Sequence, residues 1–560
     1  MAVTIGIDLG TTNSVASFLD AGEAKIIPNE RGNHLTPSIV SLADSGDILV
    51  GESAKNQAVM YADRTVRHIK RRMGGKELIN LGERGYSPEE ISSFILRHMK
   101  RQCERYLGID VNDAVISVPA HFSEAQRRAT MEAGQLAGLR VRRLINEPTA
   151  AALAFAREQH SDGRYLVYDL GGGTFDITCL EKSGTTFTVK ASRGDNHLGG
   201  ADFDALLLDR VRQEFAEQAG FDVAADPVLL QQLTDHIEQA KIELSSRESA
   251  MIGLPFAAAS KPVHLRYTIC REEFNELIGP LLQRTVDLTM RCVKDAGFGL
   301  DGIDGLVLSG GSSRIPLVRT YLHRALGIDA AGKVNPDEIV AVGAAVQAGI
   351  VDDNRDTISL NDVTSYSLGV EIEEDTYVRV LPRNSQIPAT ARRLFTTVTD
   401  NQSSVEIRVL QGDEDRASGN RSLGRFLLSG IREGRRGEPR IEVAFTVDAD
   451  GIAHVTARDV DTSAEQRITV TPEPEEGVSA ETMALRLSSL INRVSALAAH
   501  SRDAVDRDFA GEVDELLEFA RGAVDTRDLR QLREAQIALE AVLHELNAAS
   551  EEGAYRHGGA

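Results

Sequence analysis

Two short segments share one pattern, and that pattern restricts the folds open to this chain more than any other feature. Residues 5–14 read IGIDLGTTNS, and residues 167–178 read VYDLGGGTFDIT. In each, a β-type apolar run leads into Asp-Leu-Gly, then small residues and a threonine, and a second β-type run follows. Asp8 and Asp169 occupy equivalent places. The repeat predicts two related α/β lobes, each bringing a glycine-rich hairpin and one acid to a shared cleft.

The glycines of these hairpins have two possible uses. Glycine permits positive φ in a tight turn, and it lets a ligand approach the backbone amides. On residues 167–178 alone, a plain hairpin and a phosphate-binding loop both remain open. The second hairpin, and a third glycine turn in GLVLSGGSSRIP at 305–316, favour phosphate binding, with the acids holding a hydrated Mg²⁺. None of the three fits G-x-x-x-x-G-K-[ST] or G-x-G-x-x-G, which sets aside P-loop and Rossmann folds.

Composition excludes several functional classes. A chain of 560 residues exceeds one hydrophobic core, so about three or four domains are expected. Its 62 basic and 84 acidic side chains give a formal charge of −22, which argues against nucleic acid or anionic membranes as main partners. Cys103, Cys179, Cys270 and Cys292 form no C-x-x-C pair and are expected to be buried small side chains in a reducing compartment. The N-terminus does not resemble a signal peptide, so we expect a soluble cytoplasmic protein.

Changes in the pattern of apolar and polar residues along the chain predict the domain boundaries. Residues 1–353 alternate β-type runs with helical stretches, as α/β layers do, and residues 354–363 are a polar linker. Residues 364–475 contain short alternating strands such as RIEVAFTVDADGIAHVTARD, which predict an antiparallel β-sandwich. Residues 476–560 are helical with a frayed tail. Apolar residues at helical spacing predict the core of a helical bundle there: Leu529, Leu532, Leu539, Val542 and Leu546.

Longer motifs carry a resemblance to a known family. GIDLGTTNS, VPAHF, LINEPTAAALAFA, DLGGGTFDIT, GDNHLGGADFD, AKIELSS and SGGSSRIP resemble the ATPase motifs of DnaK-type heat-shock 70 kDa chaperones. DNQSSVEIRVLQG and DADGIAHVTARD resemble their peptide-binding β domain. The resemblance implies an α/β actin/hexokinase-like two-lobed ATPase, a β-sandwich peptide-binding domain and a short α-helical lid. It implies an ATP-dependent chaperone that binds and releases exposed hydrophobic segments of unfolded proteins, with ATP/ADP and Mg²⁺ as cofactors.

The resemblance also implies catalytic roles. Asp8, Asp169 and Asp176 match the acids that organise Mg²⁺ and the attacking water, and Asp8 and Asp169 hold the metal largely through water. Glu147, in INEPT, matches the carboxylate that links the metal shell to domain communication. Lys70, in RHIKRR, matches the lysine that positions water near the γ-phosphate and offsets charge developing in phosphoryl transfer. Without the resemblance, such a basic run is typical of a solvated surface.

Two larger sets are implied to contact the nucleotide. Residues of the glycine-rich loops match the phosphate contacts, and Thr174 is also counted as catalytic: Gly10, Thr11, Thr12, Asn13, Gly171, Gly172, Gly173, Thr174, Gly199 and Gly200. Residues of AKIELSS and of SGGSSRIP, together with two further acids, match the nucleoside pocket: Glu238, Lys241, Ser245, Gly310, Gly311, Ser312, Arg314 and Asp337. The guanidinium of Arg314 is implied to stack on adenine.

Other matches concern communication between domains and with partners. Pro119 and Arg127 match the pair that relays nucleotide state to the lobe surface, and Asp362 matches an acid of the interdomain linker. Arg143 and Asn146 match positions where a J-domain co-chaperone docks. A nucleotide exchange factor is a further implied partner. Taken alone, Pro119 would be a strand terminator and Arg143 a surface charge.

In the β domain, apolar residues match the slot that holds an extended peptide, although sequence alone favours ordinary core for all of them: Val370, Ile372, Phe395, Val405 and Ile407. Such a slot, combined with backbone hydrogen bonds, recognises peptides with low sequence specificity. Glu373 and Val398 fall where the family has an apolar and a small residue arching over the peptide.

The chain departs from the family in four further ways. The segment between residues 73 and 87 is short, and Ala201 replaces an acid near the phosphates. Ser359 and Asn361 weaken the apolar edge of the linker, and the C-terminal helices are short. Together these departures resemble the HscC-like branch. They also leave open which exchange factor acts.

Two other functions occur on this ATPase fold. A sugar-kinase-like phosphotransferase would leave the predicted β domain without a role. A filament-forming actin-like ATPase is disfavoured by a β-sandwich that follows the ATPase.

Overall fold

Strands and helices alternate over the first 353 residues, as α/β layers require. This computed structural model describes residues 3–158, 161–255, 264–330, 334–353, 359–462, 465–469, 480–500 and 507–528, with scattered positions between 531 and 546. The strands up to residue 309 are β1 (Thr4–Asp8), β2 (Asn13–Asp20), β3 (Glu23–Ile27), β4 (Thr36–Pro37), β5 (Val40–Leu42), β6 (Ile48–Val50), β7 (Thr65–Val66), β8 (Ile79–Leu81), β9 (Arg84–Tyr86), β10 (Asp113–Val118), β11 (Arg140–Asn146), β12 (Gly163–Leu170), β13 (Phe175–Ser183), β14 (Thr186–Asp195), β15 (Ser249–Leu254), β16 (Leu265–Cys270) and β17 (Gly305–Ser309).

The later strands are β18 (Ser359–Val363), β19 (Leu368–Ile372), β20 (Thr376–Leu381), β21 (Gln386–Ile387), β22 (Ala389–Phe395), β23 (Ser404–Gln411), β24 (Arg421–Ser429), β25 (Ile441–Val447), β26 (Ala453–Asp459) and β27 (Glu465–Thr469). The helices are α1 (Glu52–Gln57), α2 (Pro88–Leu107), α3 (Glu124–Leu136), α4 (Glu147–Glu158), α5 (Gly200–Ala219), α6 (Pro227–Leu244), α7 (Arg271–Asp295), α8 (Pro316–Leu326), α9 (Ile339–Asp353), α10 (Ala480–His500) and α11 (Arg507–Thr526).

Two six-stranded sheets reproduce the sequence repeat as a repeated topology. In the first sheet, β1 pairs in parallel with β10 and antiparallel with β2, in the order β11-β10-β1-β2-β3 with β4 also on β2. In the second sheet, β12 pairs in parallel with β17 and antiparallel with β13, in the order β17-β12-β13-β14-β18-β21. Each repeated motif therefore forms the hairpin at the centre of its own sheet. The prediction of two related lobes is confirmed.

Helices α4 and α9 pack closely together between the two sheets. Their small and apolar residues share a core with side chains of both lobes. A Cβ on Gly343 of α9 would lie 1.8 Å from the carbonyl oxygen of Ala150 in α4, so only glycine allows this approach. The apolar run IVAVGAAVQAGIV thus belongs to the protein core. Across the described residues, no helix combines the length and apolar character needed to cross a membrane.

The strands from β19 to β27 form a β-rich domain. Two antiparallel four-stranded sheets, ordered β20-β19-β23-β24 and β22-β25-β26-β27, contribute side chains to one core. Ile441, Val443, Phe445 and Val447 of β25 are all buried in it. The alternation in this part of the sequence therefore marks the buried face correctly.

The linker forms a strand that joins the ATPase to this β domain. β18 pairs in parallel with β14, with Leu360 opposite Phe187, and antiparallel with β21. Leu360 packs on the core shared by α4 and α9, whereas the Ser359 side chain is exposed. Residues 354–358 lie outside the described part of the chain.

Helices α10 and α11 pack on each other, and α10 also contacts α3 and β9. Leu532, Leu539 and Leu546 are buried against these helices, as their spacing predicts, while Leu529 lies outside the described residues.

The cysteine prediction is correct at three positions and wrong at one. Cys103, Cys179 and Cys292 are buried, but Cys270 is exposed. Cys270 is the last residue of β16, where side chains alternate, and it faces away from the core because its neighbour Ile269 faces inward.

Candidate nucleotide-binding cleft and its contact with the β domain

Four acids meet at one edge of the two sheets. Asp8 ends β1, Asp169 lies near the end of β12, and Asp176 lies opposite Asp169 at the start of β13. Glu147 begins α4, directly after β11. Ser117 donates to Asp8 Oδ1 at 2.7 Å, which fixes that carboxylate at the end of its strand. The hairpin geometry thus brings the acids of both sequence repeats into one cleft.

Lys70 lies within the same cleft. It occupies a 3-10 turn, is buried, and its ammonium forms an ion pair with Glu147. Burial raises the pKa of Glu147 to about 7, although the Lys70 charge opposes that rise. Burial also raises the pKa of Asp8 and Asp169, and the neighbouring carboxylates add to the rise at Asp169. The cleft therefore holds buried negative charge that a bound cation would stabilise.

These acids fit a hydrated magnesium ion. Mg²⁺ binds oxygen ligands and usually retains several of its waters. Within the described chain, no three His, Cys, Asp or Glu side chains converge as direct metal ligands. The donor set of the cleft acids is all oxygen and carries the negative charge that the ion requires.

The close packing around these glycines explains why residues with side chains could not form the same turns. A Cβ on Gly172 would lie 2.1 Å from Thr12 Oγ1, and one on Gly173 would lie 2.6 Å from Thr11 Oγ1. A Cβ on Gly199 would lie 2.7 Å from the backbone of Gly172. Positive φ is not the reason, because Gly171, Gly172 and Gly173 have none. The two hairpins and the start of α5 approach too closely for side chains, as loops around phosphates do.

The nucleoside-pocket residues also lie together. Glu238 and Lys241 lie in the C-terminal half of α6, and Ser245 is the C-cap of that helix. Lys241 donates to the carbonyl of Gly200 at 3.1 Å. Ser312 donates to the carbonyl of Gly171 at 2.9 Å, which ties the third glycine turn to the second hairpin.

Arg314 is held in place beside this turn. Its guanidinium donates to Asp337 Oδ2 at 2.9 and 2.6 Å, and about half of its side chain is exposed. A Cβ on Gly311 would lie 2.9 Å from Asp337 Oδ1, and Gly310 has a φ of 78°. A planar guanidinium held by such hydrogen bonds and partly exposed can stack on an aromatic ring.

Sequence reasoning missed Arg71, which crosses the cleft. Its Nε donates to the carbonyl of Gly173 at 3.0 Å, and its guanidinium pairs with Asp202 at the start of α5. Two features of the sequence could have indicated this role. Arg71 directly follows Lys70, and the motif GGAD contains the aspartate with which Arg71 pairs.

The residues that the resemblance links to interdomain communication lie against the β domain. Arg127 donates to Asn146 Oδ1 at 2.7 Å and to the carbonyl of Asp450 at 3.2 Å. Asn146 donates to Asp362 Oδ2 at 2.9 Å, and the Arg143 guanidinium lies 3.4 Å from Asp450 Oδ1. Arg143 and Asn146, which the resemblance links to a J-domain protein, therefore lie beside the linker and the β domain here.

Pro119 lies in the turn that precedes α3, the helix that carries Arg127. Its carbonyl accepts from Phe122 N at 3.1 Å, which forms the turn ahead of α3. A capping box between Ser123 and Gln126 then starts α3 and places Arg127 in its first turns.

The residues matched to the peptide slot differ in exposure. Val370 and Ile407 are buried in the β-domain core, and Phe395 and Val405 are partly buried against it. Ile372 and Val398 are 42% and 43% exposed, and Glu373 is exposed.

The cleft, its glycine loops and the inserted linker strand define a two-lobed ATPase in contact with a second, β-rich domain. A family model described as Hsp70 protein matches residues 4–556. The chain belongs to the Hsp70 family. It is an ATP-dependent molecular chaperone that hydrolyses ATP, with Mg²⁺, and acts on peptide clients together with co-chaperones. The match favours neither a sugar kinase nor an actin-like filament.

Proposed function

We propose that ATP hydrolysis in residues 1–353 sets how tightly residues 364–475 hold a client peptide. The linker, residues 354–363, transmits the change, and the helices of residues 476–560 act as a short lid over a peptide-binding β-sandwich. One observation carries the proposal. β18 extends the same sheet that presents Asp169 and Asp176, so movement of the β domain changes the strands behind the catalytic edge.

The residues of the cleft divide the chemical work. Asp8 and Asp169 hold the hydrated metal, and Asp176 and Thr174 orient the attacking water. Lys70 supplies positive charge where negative charge develops, and its ion pair with Glu147 keeps the ammonium aligned. Bound Mg²⁺ neutralises phosphate charge.

The other matched residues bind the nucleotide around this centre. The hairpin glycines bring backbone amides to the phosphates. Lys241 and Arg314 border the nucleoside, and their fixed hydrogen bonds support that role because the pocket needs little rearrangement to accept it.

The route between the domains runs through two aspartates. Asp362 of the linker accepts from Asn146 and Thr149, each at 2.9 Å. Asp450 of the β domain accepts from Leu144 N at 2.9 Å. These contacts support a docked state with ATP and separation after hydrolysis.

Client binding is proposed at the exposed end of the β domain. Ile372 and Val398 offer apolar surface there, while Glu373 adds a carboxylate that favours basic residues beside an apolar one. Together with the short lid, this supports the HscC-like branch. A J-domain protein and an exchange factor are the proposed co-chaperones, and the cytoplasm is the proposed compartment.

Single-turnover ATP hydrolysis, with and without an unfolded peptide and candidate J-domain proteins, tests this proposal. Both additions are expected to accelerate hydrolysis. Lys70→Ala is expected to slow hydrolysis about 10²–10³-fold while ATP binding persists, because it removes a charged contact made in the transition state.

Arg72→Ala is the matched control, because Arg72 is an exposed member of the same basic run. It is expected to hydrolyse ATP at the parent rate. Parent-rate hydrolysis by Lys70→Ala would refute the catalytic assignment, and a wild-type rate unaffected by peptide would refute the coupling.

A further inference from the structure

Residues 120 and 121 hold the carboxylate of Asp176 by three hydrogen bonds. Ala120 N donates to Oδ2 at 3.2 Å, and His121 N donates to Oδ1 at 3.2 Å. His121 Nδ1 lies 2.9 Å from the same Oδ1, and because a carboxylate accepts, this nitrogen carries the proton. The His121 side chain and Asp176 are both buried. Both oxygens of the carboxylate are therefore engaged.

The backbone carbonyls of the same two residues face the β domain. Ser365 donates from its hydroxyl to the carbonyl of Ala120, and Tyr366 OH donates to the carbonyl of His121 at 3.1 Å. The rings of His121 and Tyr366 meet edge to face, with centroids 5.5 Å apart. Burial raises the pKa of Tyr366 to about 12, so its hydroxyl keeps its proton to donate.

We propose that His121 is a positioning residue that restrains Asp176 while Tyr366 of the β domain is docked against it. A carboxylate that already accepts three N–H groups is a weaker acceptor for the attacking water. Undocking removes the Tyr366 contacts, loosens residues 120–121 and frees the carboxylate. This restraint rests on the proposed function and assigns particular residues to the coupling between the domains.

The chain contains other cross-domain contacts, but this one reaches the chemistry most directly. Arg127 is buried and donates to the carbonyls of Ala120 and Asp450, at 3.0 and 3.2 Å, whereas His121 contacts both Asp176 and the β domain. A hydrogen bond from within the ATPase also stabilises the segment. In it, Asn196 Nδ2 donates to the His121 carbonyl at 2.6 Å. After undocking, this hydrogen bond keeps the segment attached to the ATPase lobe, while loss of the β-domain contacts loosens its hold on Asp176.

Conservative variants test the proposal in the full chain. Tyr366→Phe keeps the ring contact and removes the hydroxyl, and His121→Phe keeps the ring and removes the Nδ1 donor. Each is expected to raise peptide-free single-turnover hydrolysis about three- to tenfold, the effect of one lost hydrogen bond, with KM for ATP within about twofold of wild type. The double variant is expected to hydrolyse ATP no faster than either single variant, because both substitutions weaken the same restraint on Asp176.

His121→Asn is the rescue variant, because its Nδ2 donates from nearly the same place. It is expected to restore slow hydrolysis. Additive effects in the double variant, or Tyr366→Phe at the wild-type rate, would overturn the proposal.

Tyr366→Phe carries the test alone if His121→Phe does not fold. Peptide stimulation of the wild type serves as the reference. If wild type is stimulated and the variants match it, only this inference fails. If wild type is not stimulated, the proposed function fails.

Discussion

Asp362→Ala removes the acid through which the linker is anchored to the first lobe. The Asp362 carboxylate accepts from Asn146 Nδ2 and from Thr149 Oγ1, both at 2.9 Å, and it also accepts from Val363 N at 2.8 Å. Its charge lies near the buried guanidinium of Arg127. The substitution thus deletes two interlobe hydrogen bonds and one favourable charge while leaving the backbone pairing of β18 in place.

The expected cost follows from these contacts. A hydrogen bond to a charged group contributes about 1.5–3 kcal/mol, and two bonds to one partly buried carboxylate are not additive. We take about 3 kcal/mol for their joint loss, which shifts the docking equilibrium by about 150-fold, since 1.4 kcal/mol corresponds to tenfold. The docked state with ATP should then be too sparse to drive peptide release.

Stopped-flow dissociation of a fluorescent peptide measures this loss. In Asp362→Ala, ATP-triggered release is expected to slow at least about tenfold, and release with ADP is expected to stay unchanged. Asp415→Ala is the control, because Asp415 is 94% exposed and pairs with Arg379 inside the β domain. If wild type responds to ATP and Asp362→Ala releases peptide at the same rate, the anchor has no part in coupling.

Three further predictions address the linker, the client site and pH. Replacing Ser359 and Asn361 by leucine should strengthen the apolar edge of β18 and raise the ratio of peptide-stimulated to basal ATPase; an unchanged ratio would remove these side chains from the mechanism. Glu373→Met should slow peptide release with ADP and weaken the preference for basic clients, because a solvated carboxylate cannot close over an apolar side chain without a desolvation cost; equal release rates for basic and neutral peptides in the parent would contradict this. Burial lowers the pKa of His68 from 6.5 to about 4, so the unfolded chain binds more protons in that window and stability falls as pH falls through it. His68→Asn, which tolerates the φ of 54° there, should flatten the fall of about 2 kcal/mol between about pH 6.5 and pH 5, and parallel unfolding curves for the two proteins would refute this.

The sequence was most informative where the structure is local. Asp8 and Asp169 each lie at or next to the end of a strand in a short hairpin, so their equivalent places could be inferred from the sequence repeat alone. The glycines of residues 171–173 were understood only in part. Both positive φ and close approach were possible from sequence, and the Thr11 and Thr12 side chains that decide between them lie far away in the chain.

Contacts between distant segments escaped sequence reasoning. His121 and Tyr366 are 245 residues apart, and neither VPAHF nor TSYSL carries a periodicity that pairs them. Arg71 was missed because a basic run is typical of solvated surface, and only the approach of the second lobe brings Gly173 and Asp202 to it. The exposure of Cys270 follows from strand alternation, which places it on the opposite face from Ile269. Because Cys270 is the last residue of its strand, next to a helix, the sequence did not show that the alternation extends to it.

The parallel pairing of β18 with β14 also protects the ATPase lobe. Without β18, β14 would be the last strand of its sheet and would present unpaired N–H and C=O groups. Exposed edges of this kind attract other extended segments and promote aggregation. If β18 leaves β14 during the proposed cycle, this edge of the sheet is uncovered beside unfolded chains. The linker strand therefore shields the edge of β14. The time that it spends undocked would set how far the protein self-associates.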